Sequence, residues 1–247
     1  MSGGTDVYPT VTGRAIAGDV IDITGVPELQ GISRSAGGLR IGACVSWAEI
    51  AAADLPLALR QAARVVGGRQ IQNAGTIGGN LCNASPAADG VPPLLVLDAQ
   101  VELASLRGVR RLALADFLLG ARKTALAADE LLVAVHLPDL RGETRFLKLG
   151  ARAYLVISIA MVAVRIAVER GVIVEAALAV GACSAVARRL PGVEAALVGL
   201  PLAEALAVIS DAAVAAEISP MDDVRATAEY RAGAAAELLR RAVGELL

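Results

Sequence analysis

The stretch NAGTIGGNLCNASPAADG, residues 73–90, is the most informative part of the chain, because it combines three glycines within five residues with small and polar side chains. It carries no charge before Asp89. Glycine permits positive φ angles and the close approach of a ligand or another backbone segment. Successive exposed backbone N–H groups in such a turn form a concave nest that binds an anion. The stretch therefore indicates either a plain turn or an anion site.

A second glycine pair lies in SGGTD, residues 2–6. Each stretch also offers side chains that hydrogen-bond a phosphate or a sugar, Thr5 in SGGTD and Thr76 with Asn80 in TIGGN. Two nests brought together would hold a pyrophosphate. The common nucleotide fingerprints are missing, because GTIGGN is not GxGxxG and the sequence contains no GxxxxGK[ST]. The residues alone leave both interpretations open, ordinary turns and an anion site.

Composition excludes several classes of function. A net charge of −2 and a pI of about 5.6 provide no basic surplus for a nucleic acid, and one tryptophan, three tyrosines and two phenylalanines provide few stacking partners. No apolar run reaches the roughly 20 residues that a membrane span needs. The longest runs, 153–164 and 176–187, predict buried strands or helices. The segment MSGGTDVYPT lacks the pattern of a signal peptide, so we expect a cytoplasmic protein.

The cysteines and the histidine point away from metal and nucleophilic chemistry in this chain. Cys44, Cys82 and Cys183 are far apart and form no CxxC pair, which argues against a disulfide framework or a cysteine-ligated metal. His136 lies in the alternating run LLVAVHLP and is predicted to face solvent on a strand. We therefore assign no catalytic residue and no metal ligand, and expect any iron–sulfur cluster on another chain.

The pattern of elements indicates an α+β protein. Short strands and glycine turns are predicted for the first hundred residues, including VIDIT at 20–24. Residues 47–68 predict a helix that begins after Ser46, breaks near Pro56 and stops at a glycine pair. The segment LALADFLLGARKT predicts a further helix.

The pattern of predicted strands and helices changes after residues 138–144, PDLRGET, where we place a domain boundary. Two apolar strands are predicted on either side of Arg170 and Gly171, at the spacing of a β-hairpin. After Pro191 the sequence becomes alanine-rich and helical. The second part is therefore predicted to pack a bundle of helices on an antiparallel sheet.

Six segments, taken in order, resemble the FAD-binding subunit of molybdenum hydroxylases: SGGTD, IGACVSWAEI, GGRQIQNAGTIGGNLCNASPAADGVPPLLVLDA, DELLVAVHLP, FLKLGAR and DDVRATAEYR. That family includes the flavin subunits of xanthine dehydrogenase and carbon monoxide dehydrogenase, and the resemblance covers essentially the whole chain. It implies an FAD-binding domain of vanillyl-alcohol-oxidase (PCMH) type, with two α+β subdomains, over residues 1–140. It further implies a C-terminal domain of antiparallel sheet and helical bundle over residues 145–247.

The resemblance also implies the cofactor, FAD, and the residues that hold it. Both glycine loops would embrace the diphosphate, and valine at Gly78 or Gly79 is expected to remove FAD from a folded chain. The implied cofactor-binding residues are Ser2, Gly3, Gly4, Thr5, Asp6, Val66, Thr76, Ile77, Gly78, Gly79, Asn80, Asp89, Leu132 and Lys148.

Four of these positions, and one further residue, have their own expected roles. Asp89 would bind a polar part of the cofactor, although by itself it also suits a helix cap or turn. Val66 and Leu132 would line the cofactor. Without the resemblance, either apolar residue would be interpreted as part of the hydrophobic core. Lys148 would lie near the flavin and stabilise the negative charge of its reduced form. Ile157 would cover one face of the ring.

The start of the chain departs from the family pattern. Family members carry a strand–helix–strand segment ahead of the first glycine loop, whereas here Met1 directly precedes SGGTD. We therefore expect either a start assigned too late or a shortened first subdomain. A shortened subdomain would anchor the first loop poorly and lower the affinity for FAD.

The function implied by the resemblance is electron transfer. FAD would take electrons from 2Fe-2S clusters on a small partner subunit and pass them to NAD or another acceptor, while a large molybdenum-cofactor subunit hydroxylates the substrate. Two alternatives stay open: a scaffold subunit whose FAD binding is weak or lost owing to the short N-terminus, and a free-standing flavin oxidase that works without partner chains.

Overall fold

The structure is a computed structural model that describes residues 1–35 and 37–246. Leu247, the last residue of the predicted C-terminal domain, lies outside this range. The strands are β1 (Ile32–Ser35), β2 (Gly38–Gly42), β3 (Gln100–Ser105), β4 (Gly108–Ala113), β5 (Leu118–Gly120), β6 (Lys123–Thr124), β7 (Leu131–Leu137), β8 (Glu143–Leu149), β9 (Ala160–Glu169), β10 (Val172–Gly181) and β11 (Arg188–Arg189). The helices are α1 (Trp47–Ala52), α2 (Leu57–Val65), α3 (Arg69–Ala74), α4 (Ile77–Asn83), α5 (Val91–Val96), α6 (Leu114–Phe117), α7 (Pro191–Leu197), α8 (Ala205–Val208), α9 (Asp211–Ala215) and α10 (Ala228–Gly244).

Two antiparallel sheets form the framework, which confirms the predicted α+β class. The first has the strand order β1-β2-β7-β3-β4 and the second the order β11-β10-β9-β8, while β5 and β6 form a separate ribbon. Strands β9 and β10 pair as a hairpin through Arg170 and Gly171, as predicted. Both turn residues have positive φ angles, +52° and +81°, which match the twist of a two-residue hairpin turn.

The second sheet is buried on both faces. Met161 and Ala163 of β9 belong to a core shared with the N-terminal helices, whereas the alternating Val162 and Val164 belong to a core shared with α7 to α10. Successive side chains of a strand point to opposite faces, so a strand buried on both sides reads as an uninterrupted apolar run. This explains the apolar character of residues 160–164 and 176–181, the parts of the two long apolar runs that form strands. Residues 153–159 and 182–187 of those runs lie outside the two strands.

The helices over residues 47–65 follow the prediction. Ser46 caps α1 through a capping box with Glu49, and α2 resumes after Pro56. VIDIT, in contrast, forms no strand, because Val20 and Ile21 are exposed and pair with no neighbouring strand. The helix predicted in LALADFLLGARKT shrinks to the four residues of α6, since the chain then turns back at Arg122, with φ of +59°, to form the β5–β6 ribbon.

Half of the glycine-rich stretch at 73–90 is helical, and TIGGN begins a helix where a turn was expected. The end of α3, the whole of α4 and the approach to α5 occupy it. Thr76 has extended backbone angles and its side chain accepts a hydrogen bond from the N–H of Gly79, so it acts as the N-cap of α4. The glycine pair therefore lies in the first turn of a helix.

The two parts of the chain meet along α2, α5 and the second sheet. The N–H of Ala58 donates to Thr144 Oγ1 at 3.0 Å, and Arg165 Nε donates to the carbonyl of Val96 at 2.8 Å. Asp98 pairs with Arg165 at 3.4 Å and with Arg189 at 2.9 Å. None of the helices within the described ranges has the length and apolar character needed to cross a bilayer.

Candidate cofactor site

A cavity of about 420 Å³ lies between the SGGTD loop and the start of α4. The side chains of Trp47 and Ile71 contribute to its wall. Eight of the predicted cofactor-binding residues line it: Ser2, Gly4, Thr5, Asp6, Val66, Thr76, Gly79 and Asn80. The fold therefore brings together the two glycine stretches that are about seventy residues apart in sequence.

The SGGTD loop has the backbone of an anion-binding nest. Gly3 and Gly4 both have φ of +67°, in the left-handed region that favours glycine. The backbone N–H groups of Ser2, Gly3, Thr5 and Asp6 find no hydrogen-bond partner anywhere in residues 1–35 and 37–246. Unpaired N–H groups at the rim of a cavity favour a negatively charged ligand.

The same loop is attached to the start of α4. Ser2 Oγ lies 2.8 Å from Thr76 Oγ1 and 3.4 Å from Cys44 Sγ. Gly3 packs so closely on Ala74 that a Cβ atom would overlap the carbonyl oxygen of that residue. These contacts anchor the loop that the sequence suggested would be poorly held.

The TIGGN stretch differs from the second nest that we expected. Its N–H groups are engaged within the protein: Ile77 with Val45 O, Gly78 with Ala43 O, Gly79 with Thr76 Oγ1 and Asn80 with Thr76 O. Ile77 and Gly78 are buried, and a Cβ on Gly78 would lie 2.7 Å from the Ala43 carbonyl oxygen. Valine at Gly78 would therefore disturb the core, so the expectation that it removes FAD from an intact fold is revised.

TIGGN still offers polar side chains to the cavity. Thr76 contributes its hydroxyl, and Asn80 Oδ1 is buried without a hydrogen-bond partner in the described parts of the chain. A buried acceptor without a partner costs about 1–3 kcal/mol, so a ligand hydroxyl that donates to it is favoured. FAD presents phosphate oxygens to N–H donors and sugar-like hydroxyls to amide oxygens. The donors of SGGTD and the acceptor of Asn80 therefore fit this cofactor.

A second cluster joins Asp89 to Lys148 of β8. Lys148 Nζ lies 2.7 Å from Asp89 Oδ2 and 3.2 Å from the carbonyl oxygen of Val65, and Ser158 Oγ lies 2.5 Å from Asp89 Oδ1. Burial raises the pKa of the Asp89 carboxyl, and the Lys148 ammonium and the Ser158 hydroxyl oppose that effect. Because Val65 is followed by Val66 of the first cavity, this ion pair lies one residue away from the wall of that cavity.

Lys148 itself lines a neighbouring cavity of about 670 Å³, together with Arg64 and Arg152. Two other residues that the resemblance placed near the cofactor, Leu132 and Ile157, lie elsewhere. Leu132 is buried in the core on β7, and Ile157 is 63% exposed in the segment that precedes Ser158. Neither lines the first cavity.

Two family models match this chain. The one described as the FAD binding domain in molybdopterin dehydrogenase matches residues 1–140, and the one described as the CO dehydrogenase flavoprotein C-terminal domain matches residues 145–246. The chain belongs to the family of FAD-binding subunits of molybdopterin dehydrogenases. FAD is accordingly the cofactor of this flavoprotein, an oxidoreductase subunit.

Relatives of the flavoprotein subunit match over different shares of its length, from 64% to 99% in the two given next. The xanthine dehydrogenase FAD-binding subunit of Escherichia coli O157:H7 is 32% identical, over 99% of this chain and 87% of the relative. The nicotinate dehydrogenase FAD-subunit of Eubacterium barkeri is 40% identical over 64% of this chain and 57% of the relative. A carbon monoxide dehydrogenase structure from Hydrogenophaga pseudoflava superposes with a TM-score of 0.91 at 28% identity, over 99% of this chain and 87% of that one.

Sequence reasoning missed several residues of the site, among them Trp47 and Ser158. Trp47 lines the first cavity while being 1% exposed, and an apolar residue in the first turn of a helix reads as core. Ser158 gave no signal because a lone serine in the middle of the apolar run 153–164 carries no pattern. His136, predicted to face solvent, is instead partly buried and pairs with Glu102 at 2.9 Å.

Proposed function

We propose that this chain is the electron-transferring flavoprotein subunit of a multi-subunit molybdenum hydroxylase. Electrons would arrive from 2Fe-2S clusters on a small subunit and leave to NAD or another acceptor, while a large molybdenum-cofactor subunit oxidises the substrate. Residues 1–140 would form the FAD-binding domain and residues 145–247 the C-terminal domain.

One observation carries this proposal. Ser2, Thr5 and Asp6, whose N–H groups have no hydrogen-bond partner within residues 1–35 and 37–246, line the same cavity as Asn80, whose Oδ1 is buried without a partner in that range. Asp6 is exposed and Ser2 and Thr5 are half-buried, so a plain turn would leave their N–H groups to water, but it would not leave Asn80 Oδ1 buried without a partner. Donors and an acceptor gathered at one cavity are instead expected at a ligand site.

The residues of this chain would bind and orient the cofactor and supply charge near it. The SGGTD amides would hold the diphosphate, with the Thr76 hydroxyl and Gly79 beside it. When bound, FAD supplies the redox chemistry, since it exchanges electrons singly or in pairs. Lys148 would provide a positive charge that favours the reduced flavin, and Asp89 would hold that ammonium in place.

The partner chains are proposed from the names of relatives. The carbon monoxide dehydrogenase protein of Hydrogenophaga pseudoflava is called a medium chain, and a Paenarthrobacter nicotinovorans protein is called a subunit of a 6-hydroxypseudooxynicotine dehydrogenase complex. This chain likewise carries no residue that we assign to substrate chemistry, which is consistent with a substrate site on another subunit.

The proposal is tested on the purified full chain, with any upstream in-frame residues included. We expect visible flavin absorption, or its gain after FAD is added, at one FAD per chain. A colourless protein that takes up no FAD would contradict the flavoprotein function and support the scaffold alternative.

The electron route needs a second experiment. An affinity-tagged chain, expressed in its own host, is expected to co-purify with a large molybdenum-containing chain and a small cysteine-rich chain. In that complex, flavin reduced anaerobically by the substrate should be reoxidised by NAD⁺, oxygen or a dye, and the effective oxidant identifies the acceptor. Substrate turnover by the isolated chain would instead support a free-standing oxidase.

A further inference from the structure

The ion pair of Lys148 and Asp89 is connected to the segment that precedes the last helix. Ser158 is fully buried and donates its hydroxyl to Asp89 Oδ1 at 2.5 Å. The carbonyl oxygen of Ser158 in turn accepts a hydrogen bond from Arg225 Nη1 at 2.9 Å. Ser158 follows the exposed residues 151–155, so Arg225 fixes the end of a segment that is otherwise surrounded by solvent.

The next peptide group is held in the same way. Arg231 of α10 is 0% exposed and donates from Nη1 to the carbonyl oxygens of Ile159 at 2.5 Å and Ala182 at 2.9 Å. Asp223 joins the two arginines, because Oδ1 lies 2.5 Å from Arg231 Nη2 and Oδ2 lies 2.5 Å from Arg225 Nη2. Hydrogen bonds from Arg225 lower the pKa of Asp223, so the carboxylate stays charged.

Lys148 retains one hydrogen-bond donor for a ligand. Its ammonium carries three N–H groups, and two acceptors of the protein, Asp89 and the Val65 carbonyl, engage two of them. The third is available at the cavity of about 670 Å³ that Lys148 lines. The direction of this ammonium depends on Asp89, whose second oxygen is held by Ser158.

We propose that Asp223, Arg225 and Arg231 form a positioning network that fixes Ser158 and thereby sets the charge that Lys148 presents to the flavin. The proposal rests on the proposed function, in which FAD binds beside Lys148. None of the three residues lines either cavity, so they act through Ser158 and Asp89.

The sign of the effect follows from electrostatics. The Asp89 carboxylate cancels part of the Lys148 charge, and the Ser158 hydroxyl disperses part of the carboxylate charge. Without that hydroxyl the carboxylate acts more fully on Lys148, and the field that favours the reduced flavin becomes weaker. Loss of the network therefore lowers the reduction potential of FAD, whereas Asp89→Asn raises it.

The test compares Arg225→Gln with Arg240→Gln in the full chain. Arg240 is the control, because its side chain is 30% exposed against 29% for Arg225, and it also holds one carbonyl, Ile209 O at 3.0 Å, and carboxylates, Asp211 at 2.7 Å and Glu237 at 3.2 Å. The FAD midpoint potential is measured by dye equilibration at pH 8 for all variants. We expect a lower potential in Arg225→Gln and the wild-type potential in Arg240→Gln.

A second readout needs no cofactor. Lys123 and Lys148 are the two lysines of the sequence, and Lys123 is exposed, so it serves as an internal reference for acetylation followed by mass spectrometry. In the FAD-free chain, Arg225→Gln is expected to raise the Lys148 labelling rate several-fold relative to Lys123. Arg240→Gln should leave the ratio unchanged.

Ser158→Ala provides a variant that keeps the fold if Arg225→Gln does not fold. It removes one oxygen atom, and we expect the same downward shift of potential. Arg225→Lys, which retains a donor for the Ser158 carbonyl, should recover part of the potential. Wild-type potentials in Arg225→Gln and Ser158→Ala, in proteins that bind FAD, would overturn the network. Absence of FAD from the wild-type chain would overturn the proposed function, and this proposal with it.

Discussion

The two glycine stretches of this chain look alike in sequence and differ in structure. SGGTD has two residues with φ of +67° and leaves four N–H groups without partners in the described part of the chain, whereas TIGGN begins a helix in which the N–H groups of residues 77–80 are engaged. In the first, glycine provides a backbone shape that other residues rarely adopt. In the second, Gly78 provides the space that allows α4 to pack on Ala43. The first loop is therefore the ligand-binding part, and the second is mainly its support.

The largest difference should appear in the stability of the FAD-free chain. Gly78→Ala places a Cβ 2.7 Å from the Ala43 carbonyl oxygen and is expected to lower the free energy of unfolding by about 1–3 kcal/mol, as overpacked cores do. Urea denaturation measures this change in the free energy of unfolding. Gly233→Ala in α10 is the control, since nothing lies within 4 Å of its Cβ, and it should raise stability by up to about 1 kcal/mol. A Gly78→Ala protein as stable as wild type would contradict the claim that Gly78 provides the space in which α4 packs on Ala43.

A change at the junction of the two stretches should affect both properties. Thr76→Val removes the hydroxyl that caps α4 and contacts Ser2 Oγ at 2.8 Å, so we expect a loss of about 1 kcal/mol in stability and about a tenfold weaker FAD affinity. Ser210→Ala, which removes the cap of α9, should lower stability alone. Calorimetric titration with FAD and thermal melting measure the two effects. Equal FAD affinities in both variants would remove Thr76 from the site.

The smallest expected effect is the pH dependence of stability that comes from the ion pair of Arg110 and Glu130, which contacts neither glycine loop. Hydrogen bonds from Arg110 lower the pKa of Glu130 from 4.5 to about 2. The folded state thus holds its proton more weakly than the unfolded state, so the stabilisation is complete above pH 4.5 and is lost as the pH falls towards 2. The Tm difference between wild type and Glu130→Gln should shrink from pH 6 to pH 3, with FAD affinity at pH 7 unchanged. A difference that grows on acidification would contradict this sign.

Much of this architecture could be predicted from the sequence because local rules determine it. Ser46 and Pro56 mark helix starts, and Arg170 with Gly171 marks a hairpin. The strand predicted at VIDIT, residues 20–24, was wrong, because a strand also needs a neighbouring strand to pair with. The local sequence pattern does not show whether such a neighbour exists. The different roles of the two glycine pairs could not be predicted either, since the role of Gly78 depends on its close packing against Ala43. Ser158 could not be predicted because its role comes from Asp89 and Arg225, 69 and 67 residues away.

The most direct test of the account is the affinity of the FAD-free chain for FAD, followed through the fluorescence of Trp47, the single tryptophan and part of the cavity wall. Gly4→Ala is compared with Gly13→Ala, because both glycines have strongly positive φ angles, +67° and +75°, and Gly13 lies outside the cavity. The positive φ angle alone costs alanine about 1–2 kcal/mol at either position. At Gly4 the added Cβ would also lie 2.5 Å from a ring carbon of Tyr8, whereas nothing lies within 4 Å at Gly13.

We expect that Gly4→Ala weakens FAD binding by about tenfold or more, because the strain is released by distorting the loop that holds the diphosphate. Gly13→Ala should bind FAD as wild type does. Wild-type affinity in Gly4→Ala, or an equal loss in the two variants, would contradict the claim that SGGTD is the ligand-binding loop.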